Sequence, residues 1–304
     1  MTKLEKLRDL DIVANSSFRT SHLSAASGLV CLDAALYVIA DDELHLGVFP
    51  ARGSGPGHLI RLFDGELPET KSDRKKRKPD LEALTFIPPC AAFSFGALFA
   101  VGSGSRPNRK RGALLRLDAK GAVVDPPKSV DLSFILDPLA KEFGELNIEG
   151  AAIVGQELRL LQRGNRRPKD NAIVSYPLSA VLDALENDRV DPLGPSAVDR
   201  FDLGAIGGTP FGFTDAASLP GGEMIFSAVA ENTENAYLDG PCLGAGIGII
   251  GKRGELLAFD QLEYPHKIEG IHARQEGDLV KLLLVTDADN PDIPAGLFSA
   301  HIVR

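Results

Sequence analysis

Asn147-Ile148-Glu149-Gly150-Ala151-Ala152-Ile153-Val154 decides the fold, because its centre, an acidic residue followed by glycine and an apolar residue, returns along the chain. The copies read Ser27-Gly28-Leu29, Glu82-Ala83-Leu84, Glu149-Gly150-Ala151, Asp215-Ala216-Ala217 and Glu269-Gly270-Ile271. Each is followed by a second apolar run, at residues 36–40, 98–101, 158–161, 224–228 and 282–285, then a polar loop and a third run. Short apolar runs separated by turn residues at a fixed period are the mark of a repeat built from small sheets.

The second positions of the motif are 55, 67, 66 and 54 residues apart, and the interval from residue 270 through the C-terminus to residue 28 is 62. The wrap-around interval is itself one repeat long. That pattern predicts an all-β ring, a five-bladed β-propeller, closed when residues 7–14 supply the outer strand of the last blade and remove its open edge. Six blades is the alternative if residues 83–150 or 150–216 hide a degenerate blade. No linker divides the chain, so residues 1–304 read as one domain.

Around this frame, 31 glycines and 20 prolines in a chain that is 44% hydrophobic suit many short strands and tight turns. Two insertions have helical spacing: residues 138–145, with Asp137 as N-cap, and residues 177–187, where Leu178, Val181, Leu182 and Leu185 share a face. Residues 52–78, with a Gly/Pro tract and the basic run 74–78, read as a mobile surface excursion.

A formal net charge of −9 disfavours the phosphate-tracking surface of a nucleic-acid binder. Cys31, Cys90 and Cys242 form neither a CxxC pair nor an even disulfide framework, which points to a reducing compartment. The first ten residues carry no secretory apolar stretch, and residues 83–101 are broken by Pro88-Pro89. The expectation is a cytoplasmic protein with no membrane partner.

Four antiparallel strands per blade put the loop entering the first strand and the loop after the second on one face. Glu82, Glu149, Asp215 and Glu269 should therefore crowd the channel mouth with Asp41, Asp42, Asp287 and Asp289. Mutual repulsion would raise their pKa values unless a cation or arginine offsets it. Calcium, which takes roughly six to eight oxygen ligands from flexible carboxylates, suits such a set, so Glu82, Glu149, Asp215, Glu269, Asp287 and Asp289 are candidate metal ligands. Turn capping by the same acids is the alternative. Arg106, Arg163, Arg166 and Lys267 fall on the same face and point to a small anionic ligand. Glu149, Glu269 and His266 are the candidate catalytic groups, and no GxSxG elbow offers a serine nucleophile.

The repeated opening, Asn147-Ile148-Glu149-Gly150-Ala151 and Lys267-Ile268-Glu269-Gly270-Ile271, resembles bacterial propellers of the phytase-like, or esterase-like activity of phytase, kind. More distantly it is similar to gluconolactonase and paraoxonase-type propellers, in which a channel-mouth Glu joins Asn and Asp residues around Ca²⁺. Only Glu149 and Glu269 match that Glu-Gly element. The resemblance implies a calcium-dependent hydrolase of a small anionic ester, phosphoester or lactone. A non-catalytic ligand-binding or protein-interaction propeller is the alternative.

Overall fold

The five repeats fold as five four-stranded antiparallel sheets in the computed structural model, which describes residues 1–13, 21–164, 170–188, 190–232 and 240–304. Strand β1 (Glu5–Asp9) belongs to the last sheet. Blade 1 is β2 (Ala26–Leu32), β3 (Ala35–Ala40), β4 (His45–Pro50) and β5 (His58–Arg61); blade 2 is β6 (Leu81–Ile87), β7 (Ala97–Gly102), β8 (Arg111–Arg116) and β9 (Lys128–Asp131). Blade 3 is β10 (Ile148–Val154), β11 (Glu157–Gln162), β12 (Ala172–Pro177) and β13 (Ala197–Arg200). A two-stranded ladder, β14 (Ala205–Ile206) with β15 (Thr209–Pro210), precedes blade 4, which is β16 (Gly212–Leu219), β17 (Glu223–Glu231), β18 (Cys242–Ile250) and β19 (Leu256–Gln261). Blade 5 is β20 (Ile268–Glu276), β21 (Leu279–Thr286) and β22 (Gly296–Val303), with β1 as its outer strand.

The ring closes as the repeat interval requires. β1 pairs antiparallel with β22, Glu5 opposite Ser299 and Asp9 opposite Gly296. Leu10, fully buried, donates its N–H to Ala295 O at 2.9 Å and accepts from Leu23 N at 3.0 Å. The sheet edge that an open blade would expose is thereby paired.

Apolar layers fill the spaces between neighbouring blades. Tyr37 and Ile39 of blade 1 meet Leu98 and Ala100 of blade 2, and Leu10, Leu29 and Val38 meet Val285 and Leu297 where the ring closes. Between blades 3 and 4 the layer is aromatic, with Phe213 edge-on to Phe226 at 5.0 Å. The glycine of the motif has a packing reason. A Cβ on Gly150 would come within 2.8 Å of Asp215 Cα, and one on Gly28 within 2.9 Å of Leu84 N, because the inner strands crowd around the channel.

Among the described residues three α-helices occupy the loops: α1 (Lys71–Arg77), α2 (Ser133–Phe143) and α3 (Leu178–Glu186). α3 lies where helical spacing places it. α2 begins five residues before Pro138, so Asp137 is inside the helix and is not its cap; Asp131 Oδ1 instead accepts the Ser133 N–H at 2.8 Å. Pro138 leaves the Phe134 carbonyl without its usual intrahelical donor, and Leu193 N–H takes that carbonyl at 2.7 Å. The basic run read as a surface excursion is α1 and its C-cap, laid across the channel mouth. Among the described residues no helix is long and apolar enough to cross a membrane. The three cysteines are unpaired and partly buried.

Candidate functional site

Every inner strand breaks register at its start, and the break builds the site. The pairing shifts by one residue between Ala26 and Gly28, Leu81 and Ala83, Ile148 and Gly150, Phe213 and Asp215, and Ile268 and Gly270. The bulged residues are therefore Ser27, Glu82, Glu149, Thr214 and Glu269, and a bulge of this kind re-aims its side chain. The fourth repeat is offset by one from its sequence reading. Thr214 takes the bulge, and Asp215 stands where the other blades carry glycine or alanine.

Asp215 is consequently fully buried, one layer below the mouth. Its Oδ2 accepts the Ile271 N–H of blade 5 at 2.9 Å, while Oδ1 has no hydrogen-bond partner among the described residues. Burial pushes its pKa well up, against the pull of the Ile271, Ala216 and Ala151 amides. It joins the inner strands of the adjacent blades 4 and 5 and does not line the cavity above.

That cavity, about 210 Å³, lies between the inner-strand bulges and α1. Its walls hold ten carboxylates and seven cationic side chains, arranged as local clusters. In the first, Lys78 Nζ lies 2.8 Å from Asp80 Oδ1 and hydrogen-bonds Asp41. Asp80 also accepts from Arg109 Nη1 at 2.6 Å and Ser103 Oγ at 2.5 Å. Burial alone would raise the Asp80 pKa, but Lys78, Arg109 and Ser103 together hold it below its ordinary value. Asp80 adopts φ 55°, a left-handed conformation that costs energy away from glycine and is held here by those bonds.

The second cluster centres on Arg163. Its Nη2 donates to Glu231 Oε2 at 2.9 Å and its Nη1 lies 3.4 Å from Glu149 Oε2, while Asn147 Nδ2 donates to the other oxygen of Glu149. In the third, Lys267 Nζ lies 2.6 Å from Asp289, 3.7 Å from Glu269, 3.8 Å from Glu231 and 3.9 Å from Asp287. Burial raises Glu149 and lifts Glu269 well up, with Lys267 and Arg163 opposing; Asp287 is pushed to about 8 by burial.

Glu82 differs from all of these. Among the described residues it has neither hydrogen bond nor ion pair. Burial raises its pKa well above the ordinary carboxylate range, the charges of Asp80, Glu149 and Asp41 add to the rise, and Lys78 opposes it. Burial and the neighbouring carboxylates thus both favour its neutral form.

α1 roofs the cavity without burying any of its own residues. Arg74 Nε reaches Asp42 Oδ2 at 3.2 Å and its Nη2 bonds Glu43; Lys71 Nζ donates to Asp289 O at 3.2 Å; Arg109 Nη2 donates to Lys75 O at 2.8 Å. The roof is polar throughout.

Of the residues singled out in sequence, Glu82, Glu149, Arg163, Lys267, Glu269, Asp287 and Asp289 line the cavity. Arg106 and His266 line a neighbouring groove, where the His266 ring centroid is 4.9 Å from that of Phe298 and burial lowers its pKa. Arg166 lies outside the described residues. Lys78, Asp80 and Glu231 were not singled out. Lys78-Pro79-Asp80, immediately before β6, was the available signal, and nothing local marks Glu231 at the end of β17.

Among the described residues, one trio, Asp41, Asp80 and Glu82, brings carboxylate oxygens within 4.8 Å of one another in the manner of a cation site. Lys78 already supplies the positive charge there. The six residues suggested for calcium divide between Lys267, Arg163, the isolated Glu82 and the buried Asp215, so as arranged they do not fit a shared calcium ion.

Over residues 22–302 the sequence matches DUF6929, a family of unknown function. The chain belongs to that family. No curated protein matches it by sequence. Solved structures with similar coordinates include a mannose phosphorylase from Leishmania mexicana in complex with phosphate, at 12% identity and TM-score 0.49, covering 97% of this chain and 88% of that one. A luciferin-regenerating enzyme aligns at 11% identity and TM-score 0.45 over 92% of each chain. A gluconolactonase from Xanthomonas campestris aligns at 14% identity and TM-score 0.41, covering 90% of this chain and 72% of that one.

Proposed function

We propose that the cavity is a hydrolytic site for an ester, phosphoester or lactone bond in a small ligand, worked by two glutamates, one taking a proton from water and the other giving one to the leaving oxygen. The observation that carries this reading is the isolation of Glu82. Two carboxyl groups on adjacent inner strands sit in environments that divide their roles: Glu149 is held by Arg163 and Asn147, which favour its ionised form, whereas Glu82 has no donor or cation in contact.

In the reaction, Glu149 accepts a proton from water as the water oxygen bonds to the carbonyl carbon or phosphorus. Glu82 gives its proton to the leaving oxygen as that bond breaks, and exchange with solvent restores both groups. Lys267 and Arg163 favour the ionised forms of the carboxylates beside them, against burial, and fix their positions. Because Arg163 is already shared between Glu149 and Glu231, it orients the base and is not open to hold an anion. His266 lies outside the cavity and takes no part. No step runs through calcium, since Lys78 occupies the charge position a cation would need.

The test is hydrolysis of 4-nitrophenyl acetate, 4-nitrophenyl phosphate and a hexonolactone by wild type and Glu82→Gln. Turnover on one class that Glu82→Gln abolishes, with the melting temperature kept, supports the reading. Equal turnover in both proteins, or none in either, contradicts it and favours a propeller that only binds.

A further inference from the structure

Toward blade 5 the carboxyl groups of the cavity outnumber its cations, and their acceptor positions are not filled. Glu149, Glu231, Glu269, Asp287 and Asp289 share two cations, Arg163 and Lys267. Each carboxylate offers roughly four acceptor positions, far more than these contacts occupy. Glu269 shows the surplus most clearly. It lines the cavity, is only 6% exposed, and makes no hydrogen bond among the described residues. Its ion-pair partner, Lys267 Nζ, is 3.7 Å away, beyond hydrogen-bond length, and is drawn to Asp289 at 2.6 Å. A buried carboxyl group without a donor is costly unless something entering the cavity supplies one. Asp287 is similar: Oδ1 accepts the Asp289 N–H at 2.7 Å, and Oδ2 has Lys267 at 3.9 Å.

Blade 1 supplies the space beside these groups. Its inner strand lies between those of blades 2 and 5: a Cβ on Gly28 would meet Leu84 N at 2.9 Å, and one on Gly270 would meet Gly28 Cα at 3.1 Å. At the bulge, where both neighbours carry glutamate, blade 1 carries Ser27, whose Oγ donates to Leu81 O at 2.6 Å. The wall between Glu82 and Glu269 is therefore short.

We infer that this sector seats a primary ammonium group of the substrate, which donates to Glu269 and Asp287 beside Ser27. An ammonium group brings three N–H donors to unfilled acceptors and offsets the excess of negative charge, whereas an anion would meet repulsion. A metal ion fits less well, because the carboxylate trio that converges within 4.8 Å among the described residues is Asp41, Asp80 and Glu82, without Glu269 or Asp287. Quaternary ammonium groups are held by aromatic faces, and among the described residues no aromatic ring lines this cavity. With Glu82 across Ser27, the substrate class is a small amino-bearing ester, phosphoester or lactone.

The bond that is cut rests on the hydrolytic reading; the ammonium seat does not. The experiment is calorimetric titration of the full-length protein at pH 7 with 2-aminoethanol, choline and ethylene glycol, using wild type, Glu269→Gln and Asp287→Asn. Asp287→Asn keeps the oxygen that receives the Asp289 N–H, so it serves if Glu269→Gln does not fold. Wild type should bind 2-aminoethanol at least tenfold more tightly than choline or ethylene glycol, and each folded variant should bind 2-aminoethanol at least tenfold more weakly than wild type. Failure of wild type to bind 2-aminoethanol, equal binding of choline or ethylene glycol, or undiminished binding by either folded variant overturns the inference. Ammonium binding without any hydrolysis would sink the catalytic reading alone, and hydrolysis without ammonium binding would sink this one alone.

Discussion

The Lys78 ammonium lies 2.8 Å from Asp80 and bonds Asp41, so an amino group from the linker between blades 1 and 2 neutralises a buried carboxylate cluster on the channel rim. The carboxylates raise the lysine pKa well above its ordinary value although burial pulls it down. Lys78→Ala would leave Asp41 and Asp80 with less compensation. A loss of about 3–5 kcal/mol is expected, as for other broken buried pairs. It should also convert the trio Asp41, Asp80 and Glu82 into a cation site: millimolar Ca²⁺ should raise the melting temperature of the variant and leave that of wild type unchanged.

Asp215 offers a different kind of test. Because it is buried with its pKa pushed well up, its neutral form is the one the fold accepts, and Asn keeps the oxygen that receives the Ile271 N–H. Asp215→Asn should change stability by less than about 1 kcal/mol. Asp215→Ala removes the acceptor and should cost about 1–3 kcal/mol, the penalty of an unsatisfied buried amide. Denaturant melts of the two variants decide between this clamp and a role at the mouth, which would lower activity in both.

Acid should loosen the junction of blades 1 and 5 through His272. Its Nδ1 accepts the Cys31 N–H at 3.3 Å, and burial lowers its pKa to about 4. Between an unfolded-state pKa of about 6.5 and that value, the unfolded chain binds more protons than the folded one, so stability falls as pH falls through this window, by up to about 3 kcal/mol. Asp287, raised to about 8, contributes the opposite slope, since its folded form holds a proton that the unfolded form releases. His272→Phe should therefore flatten the acid limb of a stability–pH curve relative to wild type.

Ring closure rests on the N-terminal segment. Leu10 is fully buried between β1 and the first blade, and Leu10→Ala should cost about 2–5 kcal/mol through the cavity it leaves. Hydrogen exchange should show the loss concentrated in β1 and β22.

The ring itself was legible because four of the five blades repeat the same two requirements: a glycine or alanine where inner strands touch and a polar residue just before it. The fourth blade broke the reading because Asp215-Ala216-Ala217 imitates the motif while the bulge falls on Thr214. A register shift of one residue is invisible in a run whose both faces are buried. The acidic mouth and two of its cations, Arg163 and Lys267, were legible from strand parity, but the cations of the linker between blades 1 and 2 were not. Lys78 and Arg74 come from a basic run indistinguishable in sequence from a solvated loop, and only the folded linker shows that they face carboxylates. Glu231 was hidden for a related reason, since its partner Arg163 lies on a neighbouring blade.

The most direct measurement is the pH dependence of hydrolysis by wild type, Glu82→Gln and Glu149→Gln. Each substitution should lower turnover by about 10²- to 10⁴-fold. Glu82 must be protonated to act, so wild-type activity should fall as pH rises through its raised pKa, and Glu82→Gln should lose that alkaline limb while remaining folded. An alkaline limb that persists in Glu82→Gln, at undiminished rate, would contradict proton transfer from this residue.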